Sequence, residues 1–323
     1  MDRLRWPVAI ATLAGLAVAV WTIGAVGLAR LADVAATLGL GGFALICLAS
    51  LLLFTLLGGA WLAALPGGRL DQLGAFAGAR IVREAANDLL PFSQLGALVL
   101  AMRALAGIGV PTPRIGAALI VDLTTELATQ AAVTVFALWL LGTLAAGVAA
   151  DWVWTGALLA IALMIAFILA NRRLVRLGRG IAVRLLPGTE AGMDSLAAEL
   201  DRAYASRRRV ALSLVLNLAG WIASGLLAWA ILRLIGSDAS LGHALALEWL
   251  IAALRSVAFL VPGAIGVQEA GYALLAPLLL IDPASAVALS LVKRARDLAV
   301  GAPTLLIWQA AALRTKRARQ PTG

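Results

Sequence analysis

Four ionisable side chains, Lys293, Arg294, Arg296 and Asp297, stand within five positions of an otherwise apolar stretch. A second apolar stretch carries Asp122 and Glu126, spaced four apart and therefore on one face of a helix. At the centre of a lipid-crossing helix a charge costs about 2.5–3.5 kcal/mol, whereas each Leu, Ile, Phe or Val returns only about 0.3–0.6 kcal/mol. Side chains this expensive face the interior of a bundle, pair with one another, or line a wet cavity. Lys293 and Asp297 have the spacing to pair with each other. The chemistry within reach is ion pairing and recognition of a polar head group.

More polar residues gather around two helix-breaking sites. The first block runs through Arg83, Glu84, Asn87 and Asp88 to Pro91, Gln94 and Gly96; the second runs from Glu248 and Arg255 to Pro262, Gly263, Gly266, Gln268 and Glu269. Pro113 follows Pro91 by about 22 positions, and Pro283 follows Pro262 by about 21. Glu126 lies about 13 positions after Pro113, as Arg296 does after Pro283. Proline lacks an N–H and disfavours helix at the residue before it, while Gly96, Gly263 and Gly266 allow close backbone approach. The helix beginning after each break presents free N–H groups and the positive end of its dipole. A phosphate, carboxylate or hydroxyl-rich head group can be held there, with Arg83 or Arg255 beside it. Repeated Pro/Gly interruption in corresponding places points to a transporter's binding site. The plainer reading is a set of ion pairs that fasten helices, but so many polar groups exceed what fastening needs.

The elements that must position these residues are membrane helices. The chain is 62% hydrophobic and 13% charged, with mean hydropathy +0.97. A hydrocarbon core of about 30 Å takes about 20 apolar residues of helix, and helices satisfy their own backbone groups. Clear spans are Pro7 to Ala29, Gly42 to Leu65, Ile115 to Leu141, Trp152 to Ala170, Val210 to Leu232 and Ala284 to Ala312. The interrupted regions, Asp71 to Gly109 and Leu241 to Ile281, each have room for two helices, with arms of about 20 residues. The fold expected is an all-α polytopic bundle forming one membrane domain over residues 1–323, with repeats at 1–141 and 152–312. Each repeat has three spans plus one Pro/Gly-broken helical hairpin. Whether the hairpins are re-entrant (six spans plus two hairpins) or cross fully (ten helices) is left open by the sequence.

Arginine and lysine concentrate at the N-terminus, within a linker at 171–209 and in the tail. Placing these in the cytoplasm is self-consistent along the chain. Each half then makes an odd number of crossings, so the halves are antiparallel, an inverted repeat. Its pseudo-twofold axis would let Glu126 or Asp122 neutralise Arg294 or Arg296. From Arg172 to Leu186, arginine alternates with apolar residues at helical spacing, which suits an anionic leaflet. The net charge of +9 therefore points to a membrane surface and not to nucleic acid.

Enzymatic readings find little material. Cys47 and His243 are the one cysteine and the one histidine, so no metal-ligand cluster is expected. A nucleotide-binding phosphate loop is missing, and no cofactor is expected. Asp122 with Glu126 as an acid–base pair is the weak enzymatic alternative.

The block from Val82 to Gly96 resembles the hopanoid-biosynthesis-associated membrane proteins, as do Val121 to Glu126, Val261 to Glu269 and Leu291 to Leu298. That group belongs to a wider superfamily that includes the flippase-like membrane domain of lysylphosphatidylglycerol synthases. The resemblance implies a flippase or transporter of a polar lipid, such as a hopanoid or an associated lipid, in a bacterial inner membrane. A non-catalytic scaffold for lipid-biosynthesis enzymes is the alternative. The synthases' soluble aminoacyl-transferase domain has no counterpart in this sequence, so aminoacylation is not implied.

Overall fold

The computed structural model describes residues 28–89, 93–106, 108–144, 190–257 and 267–318, with positions 155, 156, 158 and 162. Among these, every α-helix and the one short 3-10 turn, Leu70–Gln72, are helical elements, with no strand. The helices are α1 (Leu28–Ala64), α2 (Leu73–Leu89), α3 (Ser93–Ala104), α4 (Thr112–Leu144) and α5 (Glu190–Ala205). They continue with α6 (Arg207–Leu234), α7 (Leu241–Val257), α8 (Val267–Leu278) and α9 (Pro283–Ala318). Pro91, Pro262, Gly263 and Gly266, most of the expected spans Pro7 to Ala29 and Trp152 to Ala170, and most of the basic linker lie outside the described residues.

Among the described residues, three helical stretches are long and apolar enough to cross a membrane: Ala36–Ala64, Thr112–Thr143 and Arg207–Leu234. They coincide with three of the expected spans. The sixth, Ala284 to Ala312, falls within the 36-residue α9 but is not among them. α1 bends at Gly39, whose φ of 64° breaks the helical path.

Both interrupted regions resolve into a 17-residue helix followed by a 12-residue one: α2 then α3, and α7 then α8. At 1.5 Å per residue these described helices are about 25 and 18 Å long. Partners in each pair pack on one another. Packing also crosses between the halves. α4 lies on α7, α9 lies on α2, and α1 lies on α6. Gly58 lets α1 and α2 touch, because a Cβ there would sit 2.6 Å from the Ala77 Cα. Gly96, by contrast, is exposed, and a Cβ on it would meet nothing within 4 Å among the described residues.

Two apolar cores form. One gathers Trp61, Leu65, Phe76, Ile115, Leu119 and Leu200 around α1, α2, α4 and α5. The other gathers Val133, Ile231, Leu247, Tyr272, Leu279 and Val292 around α4, α6, α7, α8 and α9. α4 enters both, with Asp122 and Glu126 falling between the stretch it gives to each. α1 does the same, with buried Ser50 between Ile46 and Trp61. The polar side chains therefore occupy a layer between two apolar bodies.

At one end of the bundle, Arg209 in the first turn of α6 donates to the Leu65 and Gly68 carbonyls at 2.5 and 3.2 Å, capping the C-terminal end of α1. Arg114 at the start of α4 pairs with Glu199 of α5 at 3.2 Å. The ends of α1, α4 and α6 and the helix α5 thus share one side.

Candidate functional site

The first half of the polar layer centres on Arg80, with its side chain 3% exposed. Its Nη2 donates to Glu126 Oε1 at 2.8 Å, and its Nε lies 2.7 Å from Glu84 Oε1. That second contact is a charge contact out of line with the N–H, since neither Nε nor Nη1 finds an aligned acceptor among the described residues. The guanidinium sits 5.3 Å from the ring centre of Trp61, which also receives Arg83 at 6.0 Å. Arg83 contacts Glu84 at 3.2 Å and Glu126 at 3.4 Å.

Asp122, four residues before Glu126, is held mainly by uncharged donors. Asn217 Nδ2 and Ser213 Oγ from α6 donate to its Oδ1 at 2.8 and 3.2 Å. Arg80 Nη1 stands 3.8 Å from its Oδ2. Thr125 completes the group, 2.9 Å from Ser213 Oγ and 3.0 Å from Asn217 Nδ2.

The second half of the layer is built from α6 to α9. Lys293 Nζ donates to both Glu248 oxygens, at 2.5 and 2.8 Å, and Ser224 and Tyr272 also donate to Glu248. Arg294 Nε meets Glu269 Oε1 at 3.3 Å, and Gln268 reaches Ser290 at 3.1 Å. Arg296 lies against its chain neighbour Asp297 at 2.6 Å and donates to Ser50 of α1 at 3.1 Å. The two halves meet where Arg255 in the last turn of α7 donates to Asp88 in the last turn of α2 at 2.9 Å.

Two expected pairings are corrected. Lys293 pairs with Glu248 and not with Asp297, because α7 and α8 supply acceptors around it that its own helix does not. Asp122 and Glu126 neutralise Arg80 and Arg83, and not Arg294 or Arg296. α4 packs on α7 while α9 packs on α2, so the two charged spans are not close neighbours. Arg83 and Arg255, expected beside a head group held at the breaks, pair with Glu126 and Asp88. Asn87 is half-buried near the end of α2. The Gln94 side chain falls outside the described residues.

Arg80, Trp61, Ser213, Asn217, Tyr272 and Ser50 complete the site and were not anticipated. Arg80 stands four residues before Glu84, the spacing of a same-face pair. Ser213 and Asn217 repeat that spacing inside an apolar span, where a lone amide is itself a signal.

Burial grades across the layer. Asp122, Arg80 and Arg294 keep 5% or less of their side-chain surface, whereas Glu126, Glu84, Arg83, Arg255 and Glu269 keep 17–30%. The arrangement can hold a polar head group at its rim by exchanging one ion-pair partner for another.

A family model described as the lysylphosphatidylglycerol synthase TM region matches residues 8–303. Comparison with curated proteins and with solved structures finds no match.

Proposed function

The chain belongs to the family of lysylphosphatidylglycerol synthase transmembrane regions, and from that premise we propose that it is a flippase moving a polar lipid across the bacterial inner membrane. The graded exposure of the charged layer carries this reading. Ion pairs serving only as fasteners have no need of partly exposed members, and exposed pairs are worth little as fasteners. Here the partly exposed Arg255 reaches Asp88, where the two helix pairs meet.

The proposed architecture behind it is an inverted repeat with two re-entrant hairpins. The matched 17- and 12-residue arms support it, since about 18 Å of helix falls short of a core of about 30 Å. The crossed packing also supports it: exchanging first-half helices for their second-half counterparts turns the α4–α7 contact into α9–α2, and returns α1–α6 to itself. Transporters with such repeats bind substrate between the halves, at discontinuous helices. Placing the Arg69, Arg114 and Arg209 end in the cytoplasm gives cytoplasmic termini. No bond-making step and no cofactor is proposed. The likeness of four segments to hopanoid-associated membrane proteins supports a hopanoid or an associated lipid as cargo.

A second reading has its own support. Glu248, Lys293, Arg294 and Arg80 are closed and tightly paired, which suits a non-catalytic scaffold for lipid-biosynthesis enzymes. A translocation assay separates the two. Proteoliposomes holding a labelled polar lipid in one leaflet, in separate hopanoid and phosphatidylglycerol arms, should equilibrate faster with the protein. Arg83→Ala and Arg294→Ala should slow that equilibration. The same leaflet distribution with and without protein, for both lipids, would overturn the flippase reading and leave the scaffold.

A further inference from the structure

The two halves of the charged layer differ in balance. Around α7 to α9, four cations (Arg255, Lys293, Arg294, Arg296) meet four carboxylates (Asp88, Glu248, Glu269, Asp297). Around α2 and α4, two guanidiniums (Arg80, Arg83) meet three carboxylates (Glu84, Asp122, Glu126). One formal negative charge is left uncompensated in an enclosed place, where an unpaired charge is costly.

Geometry singles out the carboxylate concerned. Glu84 and Glu126 each have a guanidinium nitrogen within 2.8 Å, whereas the nearest to Asp122 is 3.8 Å away, beyond hydrogen-bond reach. Asp122 is 1% exposed, and its close donors are Asn217 and Ser213. The Asn217 amide, 0% exposed, spends its Nδ2 on Asp122 and Thr125, and its Oδ1 has no donor among the described residues. A buried acceptor without a donor is an unfavourable feature, so the amide is not locked in one orientation by its bonds. An ionised Asp122 is acceptor-only and takes the amide N–H; a protonated Asp122 is a donor, and a turned amide offers Oδ1 to it.

We infer that Asp122, with Asn217 as its two-state partner, is a proton-binding site. The groups facing it are Arg80, Arg83 and Glu84 from α2, Glu126 one turn along α4, and Ser213 and Asn217 from α6. Tyr204 of α5 bonds the adjacent Thr124 at 2.8 Å. Trp61 of α1 and Ser256 of α7, bonded to Gln130, add no ionisable group. The site stands on this geometry alone; its use, coupling lipid movement to proton flow, rests on the flippase reading.

Infrared titration of the full chain in lipid nanodiscs, with carboxyl-labelled aspartate, tests the site directly. Lowering the pH should raise a protonated-carboxyl band shifted by the aspartate label, and the part of it lost in Asp122→Asn should be worth one group per chain. Asp122→Glu should remove the same label-shifted part and return it free of the label, which decides the matter even if Asp122→Asn does not fold. A label-shifted band that is equal in the unaltered protein and in Asp122→Glu overturns the site. The readout requires no transport. A chain that takes up the proton but moves no lipid keeps the site and loses the flippase reading. One that moves lipid at a pH-independent rate without the band does the reverse.

Discussion

Arg255 donates to Asp88 at 2.9 Å across 167 positions of sequence, tying the end of α7 to the end of α2. Both residues stand in the last turn before an interruption, so the ion pair joins the two interrupted regions at their tips. Part-buried charge pairs of this kind couple measurably in double-mutant cycles, by about 0.5–3 kcal/mol. Asp88→Asn and Arg255→Gln should each lower thermal stability in detergent, and the double variant should lose less than the sum. Strict additivity would show that the contact carries no energy.

Arg80 and Arg83 share acceptors and an aromatic face, yet they differ in enclosure, at 3% and 22% side-chain exposure. Removing one member of a buried ionic group strands the others and costs about 3–5 kcal/mol. Arg80→Met should therefore unfold the protein at a distinctly lower temperature. Arg83→Met should shift it by a fraction of that, about 1 kcal/mol or less once water screens the pair. Equal losses would contradict the grading of the layer.

How far the site was legible follows from what each feature depends on. Membrane class rests on run length and composition, which are local, and Gly42 to Leu65, Ile115 to Leu141 and Val210 to Leu232 each fall within an apolar helix. The interruptions at Pro91 and Pro262 are equally local signals, and both prolines lie outside the described residues. Partner choice is not local. Lys293 has an acid at i+4 in Asp297 but finds Glu248, 45 positions away, because α7 and α8 close around it. Arg80 went unnoticed beside Arg83, although its spacing to Glu84 was available, and its central place depends on Trp61 and Glu126 arriving from two other helices.

Glycines on α1 and α3 offer a contrast. A methyl on Gly58 would press on the backbone at Ala77, whereas Gly96 opens to free space. Gly58→Ala should destabilise the chain by forcing α1 and α2 apart. Gly96→Ala should be neutral or stabilise by up to about 1 kcal/mol through helix propensity. Melting curves for the two variants should move in opposite directions or by very different amounts; a common shift would place the α1–α2 contact elsewhere.

Asp282 begins the last helix, accepting the Ser285 N–H at 2.8 Å and the Ser285 hydroxyl at 3.0 Å. These bonds favour the ionised form and hold its carboxyl below the usual carboxylate range. Since the folded-state value is depressed, the stabilisation is present above the unfolded value and is lost as pH falls through the folded one. Asp282→Ala should lower the melting temperature at neutral pH and narrow its gap from the unaltered protein in acid. A gap that stays constant down to strongly acidic pH would remove Asp282 as the cap.

The Lys293–Glu248 pair decides between fastening and function inside the second half of the layer. It is closed, at 12% and 6% side-chain exposure, and is further satisfied by Tyr272 and Ser224. Glu248→Gln alone leaves a buried ammonium poorly matched and should cost about 3–5 kcal/mol. Replacing both with apolar residues of similar size, Glu248→Leu with Lys293→Met, should restore most of that stability, because the desolvation of two ions is no longer required. If the pair is only a fastener, the double variant recovers lipid translocation along with its melting temperature. A charge needed for passage of the head group gives a different result: a stable protein that no longer moves lipid. Measuring both quantities on one preparation distinguishes these, and a double variant as unstable as Glu248→Gln would show that the pair itself, and not its desolvation balance, holds α7 to α9.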